Sequence, residues 1–588
     1  MAEPRPIPTQ YFKRFFIEFI APHRAVVALL IVNILIRVTL GLWWPYANKT
    51  MVDRVLTVDH WSWNVGATVI GIGFCILFAN SLLVFLFNRV LFRLLVVVTQ
   101  RSRMVVAEHL LKLSQRFYDA SHAGRLLTTA VGDPGAITHV MTAGMVNALA
   151  NALIVLGGYV ILLHMNPTLT WAISAVFPGM IAAFFWLRPK MRASSERVRE
   201  SWGIIGGMVA EKVGAIRVVR SFAAEDLESE RFGARVKLHA GLNIEQNRYA
   251  AIYGFVNGLM IHAGFMIVFV MGGWLYFHGR CTLGTVVAFY GYFQSLFPAV
   301  IAVCNLPQQV AQASGSLTKV FRLLDEPLTI ASPVDAPRLT EPIREVVFEK
   351  VSFRYGPGLP WALREVSTVV RAGEQLGIVG PSGCGKSTLM ALMLRYYDPT
   401  EGRILVNGRD LREWNLGSIR HAFGLVPQDV ILFSGTIRDN IVYTREDRDD
   451  AAITRALERS EAAEFVSRLE KGVDTEIGER GISLSGGQKQ RLSIARALLT
   501  QPEMLVLDNC TSALDGETEQ RLLGALREAM AGRSAITVSH RVASVGDCSR
   551  VLVMNQGRVI EEGAPARLQA AGGYFAEIFA RQSTPAGD

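Results

Sequence analysis

Gly380-Pro-Ser-Gly-Cys-Gly-Lys386-Ser387-Thr388 stands between two apolar runs, Gln375-Leu-Gly-Ile-Val379 before it and Thr388-Leu-Met-Ala-Leu-Met-Leu394 after it. The first run has the length of a buried strand and the second the spacing of a helix. Strand, glycine-rich turn and helix in that order are the context the pattern G-x-x-x-x-G-K-[ST] requires. Glycines let successive backbone N–H groups converge on phosphate oxygens, and the helix N-terminus adds its dipole. Lys386 is placed to reach the β- and γ-phosphates, and Ser387 to offer its hydroxyl to Mg²⁺. About a hundred residues on, Leu484-Ser-Gly-Gly-Gln488 precedes Met504-Leu-Val-Leu-Asp508. The latter reads as a buried parallel strand ending in a carboxylate, which beside a phosphate loop can hold Mg²⁺.

The chain in front of these segments has a different character. Half of the 588 residues are apolar, and the long apolar runs fall in residues 1–310. Such a length predicts several domains. Six stretches are long enough to cross a bilayer: about 25–46, 65–88, 142–165, 168–187, 252–277 and 284–306. Only Asn166-Pro167 separates the third from the fourth, and proline after a polar residue favours a tight reversal there. The connections 89–135 and 188–250 are long, helical in pattern and carry seven and twelve Lys or Arg; the short connection 278–283 carries only Arg280. That asymmetry places the long loops, and with six spans both termini, in the cytoplasm. Phe117-Tyr-Asp119 before Gly124 marks a break in the first excursion, and Ala215–Phe222, with Glu225 and Glu228 beyond, the turnaround of the second. Ahead of the first span, Tyr11-Phe-Lys-Arg-Phe-Phe-Ile-Glu-Phe-Ile20 is amphipathic, carries no cleavable-signal pattern and is expected to lie along the interface.

The formal charge of +9 gathers at the borders of the apolar spans and forms no continuous stripe, so nucleic acid is not expected as a partner. The six cysteines, Cys75, Cys281, Cys304, Cys384, Cys510 and Cys548, form no CxxC pair or ligand cluster and are expected to be reduced and scattered. Polar residues inside the spans are costly: Asn33, Arg37, Asn80, Asn147, Asn151, Asn257, His262 and Gln294. Two explanations stay open for them. Arg37, Asn33, His262 and Gln294 line a wet cavity that meets cargo, or these groups hydrogen-bond between helices, Arg37 with a neighbouring Asn.

At Leu484-Ser-Gly-Gly-Gln488 the sequence resembles the ATPase domain of ABC transporters, whose signature it matches without a change. The resemblance spans about 345–580 and implies roles residue by residue. Tyr355 looks like the aromatic that stacks on adenine. Gly380, Ser382, Gly383, Cys384, Gly385, Lys386, Ser387 and Thr388 form the ATP cradle, and Ser387, Gln428 and Asp508 meet Mg²⁺. Gln428 resembles the glutamine that senses the membrane helices, Glu479 a loop that touches them, and Ser512, Ala513, Leu514 and Asp515 the D-loop. His540 is similar to the switch histidine. In this family two such domains close face to face, so Leu484, Ser485, Gly486, Gly487 and Gln488 would meet the ATP of a second chain. The membrane half is similar to the exporter class through Gly124 and Asp133 after Phe117-Tyr-Asp119, Thr282–Phe289 with Pro298, and the linker Phe321–Asp325.

The implied protein is a half-transporter. Its fold is an α-helical membrane domain of six spans with long cytoplasmic extensions, followed by an α/β P-loop NTPase domain of ABC type. The expected boundaries are an interfacial elbow at 1–24, the membrane domain at 25–310, a linker at 311–342, the ATPase at 343–580 and a tail at 581–588. The implied cofactors are ATP and Mg²⁺. The implied partners are a second half-transporter, in a homodimer or heterodimer, membrane lipid and an amphipathic small-molecule, lipid or peptide cargo. The implied site is the plasma or inner membrane of a bacterium.

One position departs from the family pattern. Where a glutamate polarises the attacking water, this chain has Asn509. An amide does not accept a proton as a carboxylate does. A degenerate-site subunit of a heterodimer, a slow homodimer, and a replacement made to trap ATP all fit. An ATP-gated regulatory membrane protein with little turnover is the alternative function that Asn509 motivates.

Overall fold

The computed structural model describes residues 9–56, 63–121, 123–443, 449–478, 484–510, 521–522, 524–525, 528 and 533–583. Glu479 and the D-loop residues Ser512, Ala513, Leu514 and Asp515 lie outside them. Two compact units emerge: residues 1–110 with 124–325, and residues 111–123 with 326–588.

The first unit is helical because its runs are apolar for longer than a bilayer is thick, and a helix satisfies its own backbone in lipid. A short helix, α1 (Thr9–Phe15), leads through two tight turns into α2 (Arg24–Met51). Then come α3 (Trp63–Lys112), α4 (Met145–Met165), α5 (Pro167–Ser174), α6 (Val176–Gly214), α7 (Glu225–Phe277) and α8 (Leu283–Leu324). With α5 and α6 in series, six helices among the described residues are long and apolar enough to span a membrane. Phe74, Phe78, Phe85 and Phe92 of α3 stand exposed, as expected where lipid is the solvent.

The reversal at Asn166 is built as its sequence suggests. Asn166 is extended (φ −160°, ψ 100°), its side-chain carbonyl accepts from Leu169 N at 3.0 Å, and Pro167 occupies the first helical position, where no N–H is needed. Its amide also donates to Arg280 O at 3.3 Å, tying this turn to the one between α7 and α8. The interruption between α5 and α6 at Ala175 follows from Pro178, whose ring opposes the carbonyl four residues back.

Leu169, Val268, Phe289, Tyr292, Phe293 and Phe297 form the centre of the unit. Gly264 permits the closest approach: a Cβ there would lie 2.1 Å from the Phe293 ring. The Tyr292 hydroxyl donates to Leu42 O at 2.6 Å, which resolves a buried phenol and joins α8 to α2. The last helix runs on past Pro298 and Pro307 to Leu324, because Ala313, Leu317, Val320 and Phe321 recur at helical spacing and are buried. Residues 311–324 are therefore helix, and irregular chain begins after them. At this end α1 is clamped: Tyr11 stacks on Phe321, and Arg14 lies over the same ring and pairs with Asp325 and Glu18. Asp133 is buried, accepts from Ser316 Oγ at 2.7 Å and faces Lys319 Nζ at 3.7 Å.

The second unit is α/β. Strands β1 (Glu345–Phe353), β2 (Leu363–Arg371), β4 (Glu401–Val406) and β5 (Arg409–Asp410) form an antiparallel sheet in the order β2-β1-β4-β5. Strands β3 (Gln375–Val379), β6 (Phe423–Val426), β9 (Met504–Asp508), β10 (Ser534–Val538), β11 (Arg550–Asn555) and β12 (Arg558–Gly563) form the second sheet, ordered β12-β11-β3-β10-β9-β6, while the short β7 (Gly435–Thr436) and β8 (Glu476–Ile477) pair with each other. Its five members from β11 to β6 run parallel and are buried on both faces, which their unbroken Val/Leu/Ile runs anticipate. The segment 111–123, with its short helix Gln115–Asp119, clusters with this unit, so the break after Lys112 delivers the first excursion's tip to the α/β domain.

Asn166→Ala removes both the cap and the Arg280 tie and should cost about 1 kcal/mol. Thermal unfolding in detergent should show a lowered midpoint, with Asn166→Asp, which keeps the acceptor, falling between.

Candidate functional site

Register places the chemistry. Val538 of β10 pairs with Ile378 of β3 on one side and with Asp508 of β9 on the other, while Val426 of β6 lies beside Leu507. Four parallel strands thus end on one edge, and the residues that follow them, Gly380, Gln428, Asn509 and His540, converge there.

The glycine-rich loop 380–385 follows β3 and enters helix α9 (Lys386–Met393). Gly380 (φ +154°) and Gly385 (φ +108°) hold backbone that other residues rarely adopt, and a Cβ on either would meet a carbonyl oxygen, Met554 O at 2.2 Å or Ala362 O at 2.6 Å. Ser382 and Gly383 are exposed at the tip, while Cys384 is buried beneath it. Lys386 is buried, and its ammonium donates to Gly380 O (2.8 Å) and Pro381 O (2.9 Å). It also faces His540 Nδ1 at 3.5 Å. Burial and the Lys386 charge hold the His540 pKa below its ordinary value. A hydrogen bond from the ring to the Gly380 backbone opposes that shift.

Asn509 sits at φ +46°, a left-handed conformation that Asn tolerates better than most residues. Its carbonyl accepts from His540 N at 3.2 Å, which turns its amide toward Gln428, and Nδ2 donates to Gln428 Oε1 at 3.2 Å. Gln428, Asn509, His540 and Lys386 thus form one line of contacts. Burial raises the Asp508 pKa, opposed by the Lys386 charge and a hydrogen bond from Ser387. Asp508 Oδ1 is buried with no hydrogen-bond partner. A buried carboxylate oxygen left open beside a serine hydroxyl suits a divalent cation. Among the described residues no three His, Cys, Asp or Glu side chains gather to hold a metal by themselves, so such an ion needs ligands from a bound phosphate as well.

Tyr355 is partly exposed, and its hydroxyl meets Thr388 Oγ1 at 3.0 Å. Its ring stands edge-on to Phe353 and to Tyr397, centroids 5.0 and 5.4 Å away. The Tyr397 hydroxyl donates to Asp119 Oδ2, and Gln115 braces the other oxygen of that carboxylate at 3.0 Å. Burial first, and the Asp119 carboxylate after it, raise the Tyr397 pKa, so this phenol stays a donor. Tyr355 is therefore one ring away from the tip of the first excursion. Sequence reasoning missed Tyr397: a tyrosine after a helix has no signature of its own.

Leu484-Ser-Gly-Gly-Gln488 opens helix α10 (Gly486–Leu499) as a capping box. Ser485 Oγ accepts from Gln488 N at 3.3 Å, and Gln488 Oε1 accepts from Ser485 N at 2.8 Å. Ser485 and Gly486 are exposed, so this positive helix end faces outward, and no hydrogen bond or ion pair among the described residues joins 484–488 to 380–388. The spacing S-x-x-Q would have identified the box. Asn440, also missed, binds Phe433 N and O (both 2.8 Å) and receives Arg496 of α10, linking this helix to the segment after Gln428.

In the membrane unit, Asn33 is buried and donates to Leu83 O at 3.3 Å, and Arg37 lies over the Phe87 ring with Nε unpartnered. His262 and Gln294 are exposed on α7 and α8, and the His262 ring meets Gly258 O of its own helix. No hydrogen bond, ion pair or ring contact among the described residues joins these four. A cavity of about 1090 Å³ lies over the antiparallel sheet, between Glu349, Arg371, Arg412 and Arg550, away from all these groups.

Comparisons with known proteins agree with this architecture. Residues 26–300 match the ABC transporter transmembrane region and residues 363–512 match ABC transporter. A Staphylococcus aureus protein described as a multidrug export ATP-binding/permease protein is 31% identical over 82% of this chain and 83% of its own. YwjA of Bacillus subtilis, an uncharacterized ABC transporter ATP-binding protein, is 29% identical over 97% of this chain and 98% of its own. The solved structure of a bacterial Atm1-family ABC exporter with ATP bound superposes with a TM-score of 0.84 at 29% identity, covering 96% of this chain and 99% of that one. None of these favours a regulatory or sensory protein.

Ser485→Ala breaks the capping box and should cost about 1 kcal/mol in α10. The thermal midpoint of the full chain in detergent should fall, whereas Gln488→Glu, which keeps an acceptor for Ser485 N, should leave it nearly unchanged.

Proposed function

The chain belongs to the ABC transporter family as an exporter-type half-transporter, and on that premise we propose that it exports or flips an amphipathic, lipid-like cargo while its own ATP site turns over slowly. As a member it binds ATP, couples ATPase activity to transport, crosses the membrane several times and works as a dimer. The single observation that carries the slow-site proposal is the Asn509 bridge, an amide tying Gln428 to the His540 backbone where a general base would stand. A positioned base contributes roughly 10²–10⁴-fold. The amide can orient water but not take its proton.

In this proposal Tyr355 stacks on adenine, and the cradle Gly380, Ser382, Gly383, Cys384, Gly385, Lys386, Ser387 and Thr388 holds the phosphates. Ser387 and Asp508 would hold Mg²⁺, with Gln428 free to join if Asn509 releases it. Mg²⁺ supplies charge neutralisation at the transferring phosphoryl group. Lys386 and His540 orient the γ-phosphate. Leu484–Gln488 present a helix N-terminus to the ATP of the partner. A partner with a carboxylate at the corresponding position would supply the fast site.

Closure around ATP moves the tip 111–123, which Tyr397 holds through Asp119, and α3 carries the motion into the membrane. The cargo class rests on apolar walls interrupted by Asn33, Arg37, His262 and Gln294, and on a cavity of about 290 Å³ bordered by Phe184, Arg188, Arg192, Tyr253 and Gln312. Arg-rich walls favour an anionic group on the cargo. The Lys and Arg count of the long loops supports a reading in which they, the ATPase and both termini face the cytoplasm, at a bacterial plasma or inner membrane.

Asn509→Glu should raise the steady ATPase rate of the dimer in liposomes by about 100-fold or more. The left-handed φ adds a stability cost of only about 1 kcal/mol. An unchanged rate would contradict the slow-site reading, and ATPase activity indifferent to every amphipathic cargo would contradict the cargo class. Tyr397→Phe should leave ATP affinity unchanged and abolish cargo stimulation, while Asp119→Asn, which keeps an acceptor, should retain most of it.

A further inference from the structure

The outermost turns of α2 and the middle of α3 enclose a groove of about 460 Å³ lined by His23, Ala25, Val26, Leu29, Val90, Arg93, Leu94 and Val97. Its walls are aliphatic apart from one imidazole and one guanidinium. Neither has a partner: His23 Nε2 is buried without a hydrogen bond, and Arg93 makes no ion pair or hydrogen bond among the described residues. The sequence explains the missing counter-ion. No Asp or Glu lies between Glu18 and Asp53, nor between Asp59 and Glu108, so neither helix carries a carboxylate near the groove. The helices packed against α2 offer none: α4 has no acidic residue, α8 has none, and Asp325 beyond α8 is taken by Arg14. Arg24 and Arg89, each next to a lining residue, add two more cations without an ion pair.

These cations mark the level at which the first and second spans leave the apolar layer. An exposed cation beside an aliphatic wall at that level can find its anion in a lipid headgroup, with the acyl chain along the wall. We propose that this groove holds one anionic phospholipid of the cytoplasmic leaflet, its phosphate on Arg93 and His23 and an acyl chain against Val26, Leu29, Val90 and Leu94. The side of the membrane rests on the orientation proposed above; the binding itself does not, because a lipid of either leaflet would register in the test.

The test uses the full-length dimer purified in detergent, stripped of lipid and offered phosphatidylglycerol or phosphatidylcholine. Retained lipid is counted by native mass spectrometry, and ATP binding serves as the check on folding. The wild type should retain phosphatidylglycerol in preference. Arg93→Gln should cut that preference roughly fivefold, the worth of one cation at a membrane surface. Arg93→Lys should keep it, and Arg468→Gln, an exposed cation of the α/β unit paired with Glu464, should not affect it. Val26→Trp, which fills the groove, should reduce retention of both lipids. No headgroup preference in the wild type, or a full preference in Arg93→Gln, would overturn the proposal. Should Arg93→Gln fail to bind ATP, loss of preference in Arg93→Lys would overturn it equally.

Discussion

The shared end of four parallel strands governs this molecule. Because β3, β10, β9 and β6 run the same way in adjacent register, the groups that follow them arrive at one edge without any further device. The phosphate loop, Asp508, Asn509, His540 and Gln428 owe their proximity to that pairing. A one-residue slip of β9 would turn Asp508 to the opposite face and unmake the site. The buried Val, Leu and Ile runs fix the register and so set the geometry of the chemistry.

Much of this was legible in residue order. Membrane-length apolar runs, Asn166-Pro167 and the glycine-rich loop each have a local physical cause, so their structures follow from short stretches. The contacts that escaped join positions far apart in the chain. Tyr397 and Asp119 are separated by 278 residues, and nothing local to either names the other. Asn440 reads as an ordinary polar residue until Phe433 and Arg496 close around it. The reach of α8 to Leu324 was hidden because Pro298 and Pro307 suggest an ending, while its tertiary packing on Ala313, Leu317 and Phe321 carries the helix on.

The two units solve opposite solvent problems. In the α/β unit, apolar strands hide from water and leave polar groups at an edge where a triphosphate can meet them. In the helical unit the surroundings are apolar, and the polar groups need partners. Tyr292 finds Leu42, Asn33 finds Leu83, and the ones left open, Arg37 Nε and His23 Nε2, point to what the chain meets there. In the proposed cycle α3 is the link, since it runs unbroken from Trp63 to Lys112, where the tip that Tyr397 holds begins.

In the slow-site proposal Asn509 sets how ATP is used. It completes a line of hydrogen bonds that a glutamate could not make in the same sense, because a carboxylate has no N–H for Gln428. The most direct measurement is the chemical identity of nucleotide held by this chain. The assembled transporter would be incubated with Mg-ATP carrying a photoreactive adenine, crosslinked, quenched in acid and analysed. Intact triphosphate on this chain after many transport cycles is the predicted result; diphosphate formed there at the rate of cargo transport would contradict the account.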